Sequence, residues 1–178
     1  MTEPPELPAV PPLLDDLAAR LRGALAEESD NAMLVGIHTG GVWLAEALHE
    51  RLGMALPLGT LDVSYYRDDL AHGGLHPRLQ PSSLPGSVDG KTVWLVDDVL
   101  HTGRTVCAAL NEIFDFGRPA RVRLIALIDR DGRELPIAAD LVGARLDLAQ
   151  ELRVHLQGPE PLHLVLGEGR ARREGDPR

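Results

Sequence analysis

Three short apolar runs, each containing β-branched side chains, are the clearest feature of the hydrophobic pattern. They occupy residues 33–37, 93–96 and 124–128, and a polar stretch follows each run directly. An unbroken apolar run of this length predicts a strand that is buried on both faces, as in a parallel sheet.

Apolar residues at helical spacing lie between these runs. The first helical pattern ends near Glu27, the second follows residues 38–41, and the third begins near Thr105. The apolar positions are, in chain order, Leu13, Leu14, Leu17, Leu21 and Leu25, then Val42, Leu44, Ala45, Leu48 and Leu52, then Val106, Ala109, Leu110, Ile113 and Phe114. Strands that alternate with helices predict an α/β fold with a mainly parallel central sheet flanked by helices.

The remaining stretches predict smaller elements. Residues 56–61 begin as a strand, whereas residues 71–89 show no periodicity, and a loop of this length is usually a lid or binding loop. Residues 135–137 and 140–143 suggest short pieces at a sheet edge. A final strand pair is predicted by alternating apolar residues on both sides of Gly158 and Pro159, namely Leu152, Val154, Leu156, Leu162, Leu164 and Leu166.

The length of 178 residues suits one domain with a substantial core. Residues 1–12 are rich in Pro and Glu and are expected to lack fixed structure, residues 13–167 to form the domain, and residues 168–178 to form a frayed tail. The chain has one cysteine, Cys107, so an internal disulfide framework is excluded.

The charge balance is acidic. Against 18 basic residues stand 27 acidic ones, which gives a net charge of −9 and predicts poor nonspecific binding to nucleic acid or anionic membranes. No apolar run approaches the length of a membrane span, and no basic-then-apolar signal peptide opens the chain. We therefore expect a cytoplasmic protein with no membrane partner.

Candidate chemistry lies at the end of the second apolar run, where Asp97 and Asp98 precede a small polar loop and a helix. Loop N–H groups at a helix N-terminus bind phosphate, and Gly103 lets the backbone approach an anion closely. Two carboxylates suit a sugar diol better than a phosphate. The pattern predicts ribose hydroxyls at the acids and a sugar phosphate in the loop of His101, Thr102, Gly103, Arg104 and Thr105. The simpler interpretation is that the acids only end a strand and cap a helix.

A second strand–loop–helix unit contains His38, Thr39, Gly40 and Gly41. Its glycines could cradle a second anion, although Gly-Gly before a helix is by itself more often a turn. Ligands of parallel α/β sheets collect at the C-terminal ends of the strands. Because both loops and the pair Asp129-Arg130 follow predicted strands, we expect them to converge there.

The stretch from Val93 to Thr105 resembles the 5-phosphoribosyl-1-pyrophosphate (PRPP) signature of type I phosphoribosyltransferases, with an apolar run, two acids, two apolar residues and a Thr-Gly-x-Thr loop. From about Leu13 to about Leu156 the chain more narrowly resembles the PyrR family. The matching segments are residues 60–62, 66–70, 89–110, 115–121, 129–130, 133–137 and 139–140. This resemblance implies a type I phosphoribosyltransferase-like fold with a small hood and a flexible loop, and conversion of uracil and PRPP to UMP and pyrophosphate. It also implies UMP-responsive binding of pyrimidine-operon mRNA, as in many members, and a dimer.

The resemblance also implies residue roles. Asp97 and Asp98 would contact the ribose, His101 to Thr105 the phosphate, and His38 to Gly41 the pyrophosphate, while Ile128, Asp129 and Arg130 would contact the base. Arg67 of the flexible loop and His101 would act with the two acids in catalysis. Mg²⁺ would accompany PRPP, held mostly by substrate oxygens and water, with Asp97 or Asp98 within reach.

Three positions depart from the family pattern. The usual Arg-Thr-Arg-Gly of the pyrophosphate loop is His38-Thr39-Gly40-Gly41, the usual Tyr before Thr-Gly is His101, and the usual Gly-His before Arg-Glu-Leu-Pro is Asp131-Gly132. These departures concern turnover, base choice and RNA binding rather than the fold. The alternatives are a phosphoribosyltransferase for another base, such as a purine, and a nucleotide-sensing RNA-binding regulator with little catalysis.

Overall fold

The structure, a computed structural model, describes residues 6–28, 31–64, 81–149 and 151–168. Along the chain the elements are α1 (Val10–Glu27), β1 (Ala32–Ile37), α2 (Gly40–Leu52), β2 (Leu58–Leu61), β3 (Thr92–Leu100), α3 (Arg104–Asp115), β4 (Arg121–Arg130), β5 (Leu141–Leu146), β6 (Leu152–Gln157) and β7 (His163–Glu168). The predicted order of strands and helices is therefore confirmed.

A five-stranded sheet in the order β2-β1-β3-β4-β5 forms the centre, and every neighbouring pair is parallel. Helices α1 and α2 pack on one face of it with residues such as Leu17, Leu44 and Leu48, and α3 packs on the other with Val106 and Ile113. The apolar runs of β1, β3 and β4 are buried on both faces, which explains why these sequences read as unbroken apolar runs rather than alternating ones.

Helix α1 begins at Val10, inside the segment that the sequence predicted to lack fixed structure. Prolines at its first positions do not prevent this, because the N–H groups of a first helical turn have no intrahelical partner to lose. Val10 is itself buried in the core. The predicted start of the ordered domain at residue 13 is thus three residues too late, and composition was a poor guide here.

Strands β3 and β4 continue past their apolar runs. β3 includes Asp97 and Asp98, and β4 includes Asp129 and Arg130, because the ladder between them persists through the pairs Asp97–Ala126 and Leu100–Asp129. The sequence had suggested that the two acids follow the strand. In the structure they lie within it. Successive residues of a strand point to opposite faces, so the paired acids cannot share one face of the sheet.

Of the two predicted edge pieces, only one lies in the sheet, at the edge that β5 forms. Residues 140–143 were predicted as an edge piece and overlap β5, but residues 135–137 form a turn, in which the Ile137 amide bonds to the Leu135 carbonyl at 2.7 Å. Pro136 lacks the N–H that a sheet ladder needs. On the opposite edge, Ser83 exchanges two hydrogen bonds with Thr60 of β2, at 2.8 and 2.9 Å.

The predicted strand pair near the C-terminus is confirmed as the antiparallel hairpin β6–β7, which we call the hood. Val154 and Leu156 pack into the same core as α1 and α2. Its turn contacts α2, where a Cβ atom added to Gly158 would lie 3.0 Å from the Trp43 ring. The predicted lid at residues 71–89 falls largely outside the described residues, as does Arg67.

Candidate active site

The sheet reverses its strand order between β1 and β3, and this point positions the site. The chain leaves β1 for α2 on one face and leaves β3 for α3 on the other. Two helices that diverge in this way open a crevice at the C-terminal ends of the two strands, where open α/β sheets bind their ligands. Both predicted loops and the acid pair lie at this crevice.

The two acids occupy different environments on the floor of the crevice. Asp97 is only 3% exposed, and its carboxylate accepts the backbone N–H of Asp98 at 3.0 Å. Asp98 is half-buried and faces the loop that begins α2. The acids are therefore not equivalent. Asp98 is the one whose carboxylate borders the crevice, and Asp97 is held within the protein.

The loop of His38, Thr39, Gly40 and Gly41 lies directly on the end of β3. A Cβ atom on Gly40 would be 2.6 Å from Cγ of Asp98, and one on Gly41 would be 3.2 Å from Cα of Asp97. A Cβ atom on Gly41 would also collide with the Val96 carbonyl oxygen, so the close approach of the loop to the end of β3 requires both glycines. The loop joins β1 to α2 with a cis peptide bond between His38 and Thr39. The predicted convergence of the two motifs is thus observed.

The second loop turns sharply from β3 into α3. Gly103 adopts a left-handed conformation with φ of 92°, which favours glycine, and its carbonyl accepts the Cys107 amide at 2.9 Å to start the helix. Thr102 Oγ1 accepts the Arg104 amide at 3.3 Å. The loop therefore presents backbone N–H groups and threonine hydroxyls at a helix N-terminus, where the dipole favours an anion.

Arg104 is engaged by protein rather than extended into the crevice. Its Nε and Nη2 atoms lie 2.8 and 2.7 Å from the Glu134 carboxylate. Arg104 belongs to the predicted phosphate loop, and this ion pair reduces the positive charge that it offers there. No sequence pattern indicates this role for Glu134, which lies in one of the segments that match the family.

The predicted base-contacting residues end β4, beside the phosphate loop. Ile128 is fully buried in the core that the hood shares, and the Asp129 carboxylate pairs with Arg133 and, at 3.7 Å, with Arg145. Arg130 is 5% exposed, and its Nη1 donates to the Leu152 carbonyl at 2.6 Å. All three side chains thus have protein partners, and burial lowers the pKa of the Arg130 guanidinium.

His101 lies between the phosphate loop and the end of β4. Burial, reinforced by the positive charges of Arg130 and Arg153, lowers the pKa of His101 and favours the neutral imidazole. A Cβ atom on Gly132 would lie 2.7 Å from His101 Nε2. The imidazole therefore fills the space beside Gly132, which has φ of 95°.

The acids of the crevice suit a metal ion that arrives already bound to a phosphate ligand. Among the described residues there is no group of three or more His, Cys, Asp or Glu side chains placed to hold a metal ion. Mg²⁺ usually keeps several waters and binds through one or two carboxylates and substrate phosphates. Asp97 and Asp98 could offer those carboxylates.

No helix in the described ranges has the length and apolar character to cross a membrane.

Known proteins resemble this chain in sequence and architecture. A model of the phosphoribosyl transferase domain matches residues 7–151. The bifunctional protein PyrR of Pseudomonas aeruginosa is 55% identical over 159 residues, covering 89% of this chain and 94% of that protein. The PyrR protein of Nitrosococcus oceani is 55% identical over 157 residues, covering 86% and 89% of the two chains.

Solved structures agree in fold. The hypoxanthine phosphoribosyltransferase of Trypanosoma cruzi, solved with the product IMP, has a TM-score of 0.60 at 21% identity and covers 79% of this chain and 73% of its own. At this identity the likeness concerns the fold alone. Together with the sequence relatives it leads to one conclusion: the chain belongs to the phosphoribosyltransferase family and, within it, to the PyrR proteins.

Proposed function

We propose that this protein is a uracil phosphoribosyltransferase, which joins uracil to PRPP to give UMP and pyrophosphate. A uracil nitrogen attacks C1′ of the ribose and loses its proton to solvent or to the leaving pyrophosphate, and the bond from C1′ to the pyrophosphate oxygen breaks. The observation that carries the proposal is the position of Asp98, whose carboxylate lies against Gly40 of one loop while its strand leads directly into the other. A ribose on this acid would have an anion-binding loop on each side.

The phosphate loop is assigned to the 5′-phosphate. The N–H groups at the start of α3, the hydroxyls of Thr102 and Thr105, and Gly103 supply neutral donors and close approach. Arg104 adds less charge than its position suggests because Glu134 binds it at 2.7 Å. His101 borders the same loop, and as a neutral imidazole it can donate one hydrogen bond without repelling Arg130.

The acid pair is assigned to the ribose and the loop of His38, Thr39, Gly40 and Gly41 to the pyrophosphate. Hydrogen bonds from the ribose hydroxyls to Asp98 would fix C1′ between the two loops, and orientation of this kind is a large part of catalysis by such sites. The pyrophosphate loop has neither lysine nor arginine, so its backbone N–H groups and the dipole of α2 must supply most of the stabilisation.

Phosphoribosyltransferases generally use Mg²⁺ together with PRPP. We assign Asp97 and Asp98 as its protein contacts, mostly through water, with PRPP oxygens as the main ligands. When bound, the ion neutralises charge on the pyrophosphate group. The protein's own part would be to hold the Asp98 carboxylate at the strand end where the ribose and the ion meet, with the buried Asp97 beneath it.

The base is assigned to the end of β4. Ile128 is buried, Asp129 and Arg130 are bound to other residues, and the backbone of this segment is paired with β3 and β5, so the uracil is assigned to the end of β4 as a whole rather than to one of these side chains. Arg67 is proposed as the flexible-loop arginine that covers the reacting centre and excludes water. That role is a prediction outside the described residues.

Steady-state rates with four bases test this function. Uracil, hypoxanthine, guanine and orotate are each supplied with PRPP and Mg²⁺, and nucleotide formation is followed by chromatography. We expect UMP from uracil at a rate far above that with the other three bases. A preference for hypoxanthine or guanine would make this a purine enzyme, and no turnover with any base would leave a nucleotide-sensing regulator.

The protein's relatives are named bifunctional, and the family resemblance includes a regulatory role. We propose that catalysis is the primary role of this chain and RNA binding a secondary one. A dimer follows from the family resemblance, and sedimentation velocity would test it, as a monomer at micromolar concentration would contradict it.

A further inference from the structure

The segment of residues 133–137, which we call the brace, runs along the outside of the phosphate loop. The amides of Glu134 and Leu135 both donate to the Thr102 carbonyl at 3.0 Å. The side chain of Ile137 lies so close that a Cβ atom on Gly103 would be 3.1 Å from its Cγ1. The loop therefore has a second layer of protein behind it.

Arg133 ties this brace to two parts of the site at once. Its Nη1 donates to the carbonyl of His101 in the phosphate loop, and its Nη2 donates to Oδ1 of Asp129 at the end of β4. The pair is largely sheltered, with the Arg133 side chain 27% exposed and that of Asp129 17% exposed. A planar guanidinium can hold both acceptors in fixed directions, whereas a lysine ammonium is a single point of attachment.

These contacts determine which way the loop's peptide groups face. The carbonyls of His101 and Thr102 are both bound on the brace side, by Arg133 and by the amides of Glu134 and Leu135. The peptide bonds that follow these two residues are trans, and in a planar trans peptide the N–H points opposite to the C=O. The N–H groups of Thr102 and Gly103 therefore point away from the brace.

We propose that Arg133 is a positioning residue that keeps the N–H groups of Thr102 and Gly103 turned toward the 5′-phosphate and fixes the phosphate loop relative to the base end of β4. The inference rests on the proposed function, because it needs the phosphate in this loop. Arg133 itself acts through His101 and Asp129, and it does not touch the ligand in this arrangement.

Arg145 provides a matched control. Its Nε lies 3.7 Å from Oδ2 of the same Asp129, but its side chain is 80% exposed. Arg133→Gln and Arg145→Gln each remove one positive charge beside Asp129, and only the first removes the donor bound to the phosphate loop. A difference between the two variants therefore reports the loop contact and not the local charge.

The experiment measures UMP and ribose 5-phosphate binding by calorimetry, together with the ³¹P resonance of bound UMP. Loss of a charge-assisted hydrogen bond predicts that Arg133→Gln binds both ligands about tenfold to a hundredfold more weakly and shifts the ³¹P resonance. Arg145→Gln should stay within about twofold of the wild type. A merely structural arginine would lower the thermal midpoint but leave affinity and resonance of the folded protein unchanged.

Equal affinities and the same ³¹P resonance in the two folded glutamine variants would overturn the inference. If Arg133→Gln does not fold, Arg133→Lys against Arg145→Lys carries the test, since a lysine keeps the charge but lacks the two separate nitrogens that hold the two acceptors in fixed directions. Weaker UMP binding by Arg133→Lys alone supports the inference, and equal binding overturns it. A wild-type protein that binds neither ligand would instead refute the proposed function and with it this inference.

Discussion

Asp98 is the residue on which the ribose assignment depends most. If its carboxylate accepts hydrogen bonds from a sugar diol, then Asp98→Asn should weaken UMP binding by about 1.5–3 kcal/mol while the fold persists. Calorimetry with UMP measures this loss. Asp16→Asn on α1, where the acid pairs with Arg20 at 2.7 Å, is the control and should bind UMP like the wild type. Unchanged UMP affinity in folded Asp98→Asn would remove the ribose assignment.

A substitution at Gly40 distinguishes a pyrophosphate-binding loop from a simple turn. A Cβ atom here would lie 2.6 Å from Cγ of Asp98, so Gly40→Val should displace the acid, block the anion and abolish most of the turnover. Specific activity of the folded fraction is the measurement. Gly23→Val on α1 meets nothing within 4 Å and should keep its specific activity. Equal specific activity in both valine variants would end the pyrophosphate assignment.

The environment of His101 predicts that the stability of the protein depends on pH. Burial and the charges of Arg130 and Arg153 lower its pKa, and Asp131 and Glu134 oppose this only partly. The unfolded chain then binds a proton more readily than the folded one, so stability is full above about pH 6.5 and falls as the pH drops toward the folded pKa. A bound phosphate should raise this pKa by its negative charge.

An NMR titration of the His101 imidazole with and without UMP checks both statements. We expect a midpoint below about 6.5 in the free protein and a higher one in the complex. A free-protein midpoint above the ordinary value would contradict the inferred environment, and an unchanged midpoint on UMP binding would place the phosphate elsewhere.

At the scale of elements, the sequence predicted the order of strands and helices because buried strands and amphipathic helices leave different periodicities. It could not predict where β3 and β4 end. The apolar runs stop at Val96 and Ile128, but the ladder between the strands continues to the pair Leu100–Asp129, and backbone pairing leaves no trace in side-chain hydrophobicity. The sequence therefore predicted correctly that the acids come after the apolar run. It did not predict that they are still part of β3.

The sequence predicted the two loops of the candidate site but not the long-range side-chain contacts around them. Glycines and paired acids signal chemistry locally, so both loops could be found from the sequence. The contacts from Arg133 to His101 and from Arg104 to Glu134 join residues about thirty positions apart, through a turn whose path no periodicity indicates. The protein partners of the Asp129 and Arg130 side chains were missed for the same reason.

The hood depends on a small number of buried apolar residues. Leu156 is 7% exposed, whereas its cross-strand partner Leu164 is only partly buried. Leu156→Ala should lower the free energy of unfolding by about 2–4 kcal/mol, and Leu164→Ala by clearly less. Chemical denaturation measures both values. Similar losses for the two variants would show that the hood does not pack on the core as described.

At the scale of the whole molecule, charge argues against strong RNA binding. The chain carries a net charge of −9, and Lys91 is its only lysine. Arg121 and Arg123, which the sequence brings close together, lie 4.0 and 3.2 Å from the Glu28 carboxylate, and Arg123 also stacks on Trp94. Aromatic residues for stacking unpaired bases make up only 3% of the chain.

We therefore expect RNA binding that is weak and steeply salt-dependent, since the affinity would rest on a few arginine–phosphate contacts. A filter-binding titration against the leader of the protein's own pyrimidine operon, with and without UMP, measures it. Tight binding at physiological salt that UMP enhances would make the regulator the primary role and the enzyme the secondary one.

The central claim is that one sugar-phosphate site spans the two loops at the C-terminal ends of β1 and β3. A crystal structure of the complex with UMP tests this claim most directly. We predict the phosphate within hydrogen-bonding distance of the N–H groups of residues 102–105, the ribose hydroxyls on Asp98, and the uracil beside the end of β4. A nucleotide bound away from this crevice, or bound in it with the phosphate outside the loop before α3, would contradict the account.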